Sequence, residues 1–204
     1  MSNSIANSSK LHQLRARGLS FFYQNGYYST TTEELLAHLS ITKEAFEATF
    51  SSKKQFFIGI AQNLLLQRTL NLLIEPNSYK QNPFPSILQM LENELENSAD
   101  SPVDGGFMLN TFLTEFHGKD KEVSKVLVQI LRIWEINLLS LLKKGQLDGY
   151  VDQHVDAESA AKYIVSSFIG IRTLMGNEDP RRLKRQYLQQ LRYYFNSIAK
   201  QRAA

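Results

Sequence analysis

The sequence predicts an all-α protein of about nine helices, with three short ones forming a small N-terminal head and the rest a larger body. Three observations carry that prediction. Apolar residues recur at the i, i+3, i+4, i+7 spacing of one helix face through most of the chain. No segment alternates apolar and polar residues persistently at period two, so no strand is expected. Glycine, proline and short hydroxyl- or carboxylate-bearing residues fall at the ends of the periodic runs, where helices start and stop.

The chain can bury a sizeable core: it has 204 residues, of which 43% are hydrophobic and 21% charged. It contains no cysteine, which excludes disulfides and thiolate metal sites and agrees with a reducing compartment. The N-terminus MSNSIANSSKLHQ lacks the apolar run of a signal peptide, and no later stretch is apolar enough to span a membrane, so the cytoplasm is the expected location. A net charge of +3 permits nucleic-acid binding without arguing for it.

Residues 1–8 are small and polar and are expected to form a flexible arm. A first helix runs from about Lys10 to Asn25, with Leu11, Leu14, Gly18, Phe21 and Phe22 near one face, and Gly26 ends it. Thr30, Thr31 and Thr32 supply an N-cap for the second helix, Glu33 and Glu34 favour the positive end of its dipole, and Leu35, Leu36 and Leu39 are its buried face. Ser40-Ile41 forms a turn. Thr42 caps a third helix, Glu44 to Phe50, whose inward residues are Phe46 and Phe50. Ser51 or Ser52 caps a helix that begins at Lys53 and runs to about Ile74.

The body is helical by the same reading. An amphipathic helix covers about Pro83 to Asn97, a short apolar one Phe107 to Phe116, and a long one Lys119 to Lys144, closed by Gly145 and Gly149. Asp156 caps a helix from Ala157 to about Met175 that is rich in small residues, and the last helix spans Arg181 to about Gln201. The basic cluster Arg181, Arg182, Lys184 and Arg185 reads as the solvated side of that helix, with Leu183, Tyr187, Leu188, Leu191, Phe195 and Ile198 packed inward.

On spacing alone, two short helices of an ordinary all-α core come ahead of a helix-turn-helix unit. Enzyme chemistry finds no support. The four histidines are scattered, none has a metal-ligand spacing, and there is no Walker loop or GxSxG. His117 lies two residues from Glu115, a separation that points helical side chains to different sides. No catalytic residue, metal or cofactor is expected.

The order of several short motifs resembles the TetR family of bacterial transcriptional regulators. They are Gly26-Tyr27, Thr30-Thr31, Leu35-Leu36, Ile41-Thr42-Lys43, Phe50 and Ser52-Lys53-Lys54, followed by Gly106 to Thr111, Trp134, Gly145-Gln146-Leu147 and Gly170-Ile171-Arg172. The resemblance spans about residues 10 to 200. It implies a helix-turn-helix DNA-binding domain over 1–52 and an effector-binding and dimerisation domain over 53–204. It also implies a repressor released from a palindromic operator by a small-molecule effector, and a homodimer formed through about 157–176 and 181–201.

By the family's positions, Thr31 and Lys53 contact phosphates, Thr42 and Lys43 open the recognition helix, and Glu44, Ala45, Glu47 and Thr49 lie on or beside its outward face. The pocket candidates are Phe107, Asn110, Thr111, Phe116, Trp134 and Asn137, although for each alone ordinary core is the plainer reading. Two positions depart from the family pattern: Glu44 stands where Gly is common and Glu47 where Tyr is common. An ionised glutamate repels phosphate, yet it can accept a hydrogen bond from cytosine N4. Residues 1–57 hold six Lys or Arg against four Glu, a weak net of +2 for a DNA-binding head. The alternative is therefore a TetR-shaped small-molecule-binding or interaction protein with weakened or lost operator binding.

Overall fold

The structure, a computed structural model, describes residues 2–74, 82–97, 108–176 and 178–201. Nine helices are present among the described residues. They are α1 (Ser2–Asn25), α2 (Thr32–Leu39), α3 (Lys43–Phe50), α4 (53–73), α5 (Pro83–Asn97), α6 (Met108–Phe116), α7 (Lys121–Leu147), α8 (Ala157–Leu174) and α9 (Pro180–Ile198). Helix α4 is continuous but not uniform, because a π-helical turn, Ala61–Leu65, separates the α-helical segments Lys53–Ile60 and Leu66–Leu73. No strand occurs among the described residues, and Val151 and Ala199 form one isolated antiparallel bridge.

Several expected boundaries move, among them the end of the last helix, which stops at Ile198 rather than near Gln201. No glycine or proline interrupts residues 2–8, and α1 extends back to Ser2 where an arm was expected. Helix α7 begins after Asp120, whose Oδ1 accepts the amide N–H of Glu122 at 3.0 Å and of Val123 at 3.1 Å. It runs through Gly145 to Leu147, and Gly149, at φ 78°, makes the turn that follows. Gly145 serves packing instead: a Cβ there would sit 2.7 Å from Val151 Cγ2 and 2.8 Å from Pro83 Cγ. Helix α9 starts at Pro180, with the Asp179 carboxylate capping the amides of Arg181 and Arg182.

The described residues pack as two compact units. The first comprises Met1–Arg68 and Met108–Ile130, so the position 52/53 lies inside it and the first segment of α4 packs with the head. The reason is aromatic. Phe22, Phe46, Phe56, Phe57, Phe112 and Phe116 are fully buried. Phe56 is 4.6 Å from Phe50 and 5.3 Å from Phe46 by ring centroid, and Phe57 is 4.9 Å from Phe112. Such tilted and edge-on pairs add to the burial of large apolar area. Gly18 admits the Phe56 ring against α1, since a Cβ would lie 2.6 Å from Phe56 Cζ.

The second unit comprises Thr69–Phe107 and Leu131–Ala204. Its core joins Ile87, Leu91 and Leu95 of α5, Trp134 and Leu138 of α7, Ile164 and Phe168 of α8, and Leu191 of α9, all buried. Trp134 meets Phe168 edge-on at 5.5 Å, and Phe84 stacks on Phe195 at 4.9 Å. The inward residues expected for α9 (Leu183, Tyr187, Leu188, Leu191, Phe195 and Ile198) are all buried, while Arg181, Arg182 and Arg185 are exposed. Lys184 pairs with Glu96 of α5.

Candidate nucleic-acid interface

Helices α2 and α3 each have eight residues and are separated by a short turn at Ser40-Ile41. Leu35 and Leu39 of α2 and Phe46 and Phe50 of α3 are buried, which leaves the opposite faces to solvent. Ser40 adopts the left-handed conformation at φ 56°, and its N–H closes on Ala37 and Leu36 carbonyls. Arg17 of α1 completes the end of α2. Its guanidinium donates to the Leu39 carbonyl at 3.1 Å and to the His38 carbonyl, placing a cation at the negative end of the helix dipole. Phe21 stacks on His38 at 4.5 Å beside it.

Thr31 caps α2 through a reciprocal box. Its Oγ1 accepts the Glu34 N–H at 3.1 Å, and the Glu34 carboxylate accepts the Thr31 N–H at 2.8 Å. The Thr31 N–H first, and then the Thr31 hydroxyl, which donates to the same carboxylate at 3.0 Å, hold the Glu34 carboxyl below its ordinary range. The Thr31 N–H is thus engaged by a carboxylate of the chain itself. The Thr31-x-x-Glu34 spacing of a capping box was visible in the sequence as the signal for this.

Thr42 caps α3, its Oγ1 accepting the Ala45 N–H at 3.3 Å. Lys43, Glu44, Ala45, Glu47, Ala48 and Thr49 are all exposed along one side. The Glu44 carboxyl is held below its ordinary range by the helix tip, its own backbone amide first and the Thr42 hydroxyl after it. Glu47 lies 3.9 Å from the Lys43 ammonium one turn back, and Thr49 Oγ1 donates to the Ala45 carbonyl at 2.7 Å.

Lys53 turns its side chain into the protein. Its ammonium donates to the Tyr27 carbonyl at 2.6 Å and to the Thr30 carbonyl, over the Tyr27 ring. Burial pushes its pKa down. The side chain therefore ties the α1–α2 loop to the start of α4 rather than reaching outward to a phosphate. The neighbouring Lys54 also turns to the protein, 3.1 Å from Asp120 and 2.6 Å from Glu122. Glu115 of α6 accepts the Tyr28 N–H at 3.0 Å. Local spacing carried no signal for Arg17, Lys54 or Glu115, since each acts on a residue distant in sequence.

The pocket candidates are distributed over the two units. Asn110, Thr111 and Phe116 belong to the first unit, and Trp134 and Asn137 to the second. Phe107 lies outside the described residues. Phe116 is fully buried, 4.7 Å from Tyr27 and 4.8 Å from Phe57, so it is core of the head unit. Thr111 is exposed. Trp134 is fully buried, and Asn137 Oδ1 is buried without a hydrogen-bond acceptor role among the described residues. A groove of about 840 Å³ in the second unit runs along α9 and is lined by Arg181, Lys184, Arg185 and Arg192 with Glu92 and Asp179, none of them a pocket candidate.

The chain has the fold of TetR-family regulators. It matches a TetR transcriptional regulator from Chloroflexus aurantiacus J-10-fl with a TM-score of 0.85 at 15% identity, over 96% of this chain and 98% of that one. A TetR-family regulator from Cytophaga hutchinsonii matches at 0.80 and 16% identity, over 94% and 96%. Reduced Escherichia coli NemR matches at 0.77 and 18%, over 96% and 100%. In sequence, the chain is 22% identical over 161 residues to the HTH-type transcriptional repressor DhaR of Mycobacterium sp. (strain GP1), covering 76% of each protein. No protein-family model matches it.

Proposed function

We propose that the protein is a DNA-binding transcriptional regulator, a homodimeric repressor released from a palindromic operator by a small-molecule effector. The observation that carries this is the α2–turn–α3 unit. Both helices are capped, both are anchored by buried apolar residues, and the Lys43–Thr49 side of α3 is left to solvent. A short rigid helix with one free face is what enters a major groove. The TetR-type neighbours and the DhaR repressor support the same reading.

Dimerisation is supported by α8 and α9. They expose Tyr163, Leu174 and Tyr193, and Gly170 has nothing within 4 Å of where a Cβ would be. A second copy would cover these side chains and let two modest heads act at high effective concentration. The effector is a small molecule; a resident metal, cofactor or catalytic role forms no part of this reading. No group of metal-binding side chains occurs among the described residues, and no described helix is long and apolar enough to cross a membrane. The cytoplasm is the proposed location.

The test is capture of genomic fragments by the purified protein over a salt series, with and without candidate ligands. A palindromic fragment should be retained and then lost as salt rises, because phosphate contacts release counterions. Failure to retain any fragment at low salt would favour the second reading, a TetR-shaped ligand-binding or interaction protein without an operator. That reading draws on the carboxylates at the tips of α2 and α3 and on Lys53, whose charge is turned inward. Glu47→Tyr separates the two. It strengthens existing binding moderately under the first and would have to create binding under the second.

A further inference from the structure

We propose that the groove between α5 and α9 is a binding site for a small polyanion, a molecule that carries two or more phosphate or carboxylate groups. The inference goes beyond the regulator reading and does not depend on operator binding. The two walls are fastened at both ends. Phe84 of α5 stacks on Phe195 of α9 at 4.9 Å, and Glu96 of α5 pairs with Lys184 of α9. The helices therefore run antiparallel, and their register sets Glu92 opposite Leu188, whose buried side chain gives the groove an apolar floor.

The charges of the lining are not equivalent. The Lys184 ammonium is committed to Glu96, and the Asp179 carboxylate to the amides of Arg181 at 3.0 Å and Arg182 at 3.4 Å. Arg181, Arg185 and Arg192 are exposed, and none of them forms an ion pair with a carboxylate among the described residues. They recur at one-turn and two-turn intervals along α9, over roughly 16 Å of helix. Glu92 is the remaining carboxylate of the lining.

Three guanidinium groups facing one carboxylate favour an anion of more than one charge. Each guanidinium offers a planar fork of donors that matches a phosphate or carboxylate edge, and it stays charged throughout the physiological range. A concave wall of one sign concentrates the field more than the same residues do on an open surface. The volume, about 840 Å³, lies within the ~300–1,000 Å³ of small-molecule sites, and a cleft between two helices suits a compact ligand better than a duplex. Tyr163, Leu174 and Tyr193, the side chains offered to a second copy, do not line it.

The test is calorimetric titration of the full-length protein with pyrophosphate, citrate and acetate at constant ionic strength. Pyrophosphate or citrate should bind saturably, the tighter of the two naming the anionic group, and acetate should not. Arg185→Gln and Arg192→Gln should each weaken that binding by roughly tenfold, the effect of losing one charge-assisted contact. Glu92→Gln should tighten it, a gain that damage to the fold cannot produce. Arg182→Gln, at an exposed neighbour outside the groove, should leave it unchanged. No saturable binding of either polyanion, or equal losses in Arg182→Gln and the groove variants, would overturn the site. Displacement of the bound polyanion by a random-sequence duplex would assign the groove to nucleic acid and overturn the small-molecule class.

Discussion

Lys53 donates to the carbonyl of Tyr27 at 2.6 Å and holds its ammonium 4.3 Å from the centroid of the same residue's ring. A basic residue at the start of α4 is thereby a clamp on the loop that leads into α2. Replacing it tests that role directly. Lys53→Met should lower the unfolding free energy by about 1.5–3 kcal/mol, the range for hydrogen bonds of a charged group, read by urea denaturation. The salt dependence of operator binding should keep its slope. A phosphate contact would instead reduce the slope by about one unit.

Asp120 makes the start of α7 sensitive to acid. The Val123 amide first, and the Lys54 ammonium after it, hold the Asp120 carboxyl below its ordinary range in the folded protein. A carboxylate depressed in this way contributes stability that is present above its unfolded pKa and lost as pH falls through the folded one. Asp120→Ala should cost about 1 kcal/mol at neutral pH, as loss of a helix cap does. The gap between variant and wild type should close on acidification below pH ~4. Thermal melts of both proteins across that range check it; a gap that stays constant would refute the assignment.

Gly18 sets two effects of opposite sign against each other. Alanine in place of glycine within a helix ordinarily gains about 1 kcal/mol. Here the added methyl would lie 2.6 Å from Phe56 Cζ, on a ring fully buried between Phe46 and Phe50. Overpacking a close-fitted core costs about 1–3 kcal/mol, occasionally more, and a ring so enclosed has little room to move. Gly18→Ala should therefore destabilise, with a lower midpoint in urea. A stabilised variant would mean the ring can move aside.

Tyr193 is the most exposed large apolar side chain of α9, at 58%, and Leu174 of α8 is 48% exposed. If α8 and α9 form the dimer surface, Tyr193→Glu with Leu174→Glu should yield monomers in sedimentation experiments. Operator affinity should then fall by about a hundredfold or more, the advantage that two linked sites have over one. A dimer that survives both changes would place the subunit contact elsewhere.

The helical elements were largely legible from residue spacing. Thr31, Thr42 and Asp156 cap the helices assigned to them, and Phe46 and Phe50 are buried as their four-residue separation required. These signals are local: a cap acts over three residues and a helix face repeats every three or four. Gly145 shows where local reading ends. Its usual role of closing a helix is overridden by Pro83 and Val151, which crowd the place of its missing side chain.

The sequence by itself therefore determined an all-α chain with a head of short capped helices and a helical body, along with the motif order that resembles the TetR family. Only the tertiary structure decided where the charges go. Lys53 turns inward to carbonyls 23 and 26 residues away in the chain, and Gln55 meets Glu122 across 67. It also placed Phe116 in the aromatic core of the head unit. Long side chains such as Lys and Glu reach several directions from one backbone position, and the partner they find depends on which distant segment packs beside them. That choice is made by the core, whose aromatic contacts bring α6 into one unit with the helix-turn-helix, while Lys54 meets Asp120 and Glu122 at the start of α7.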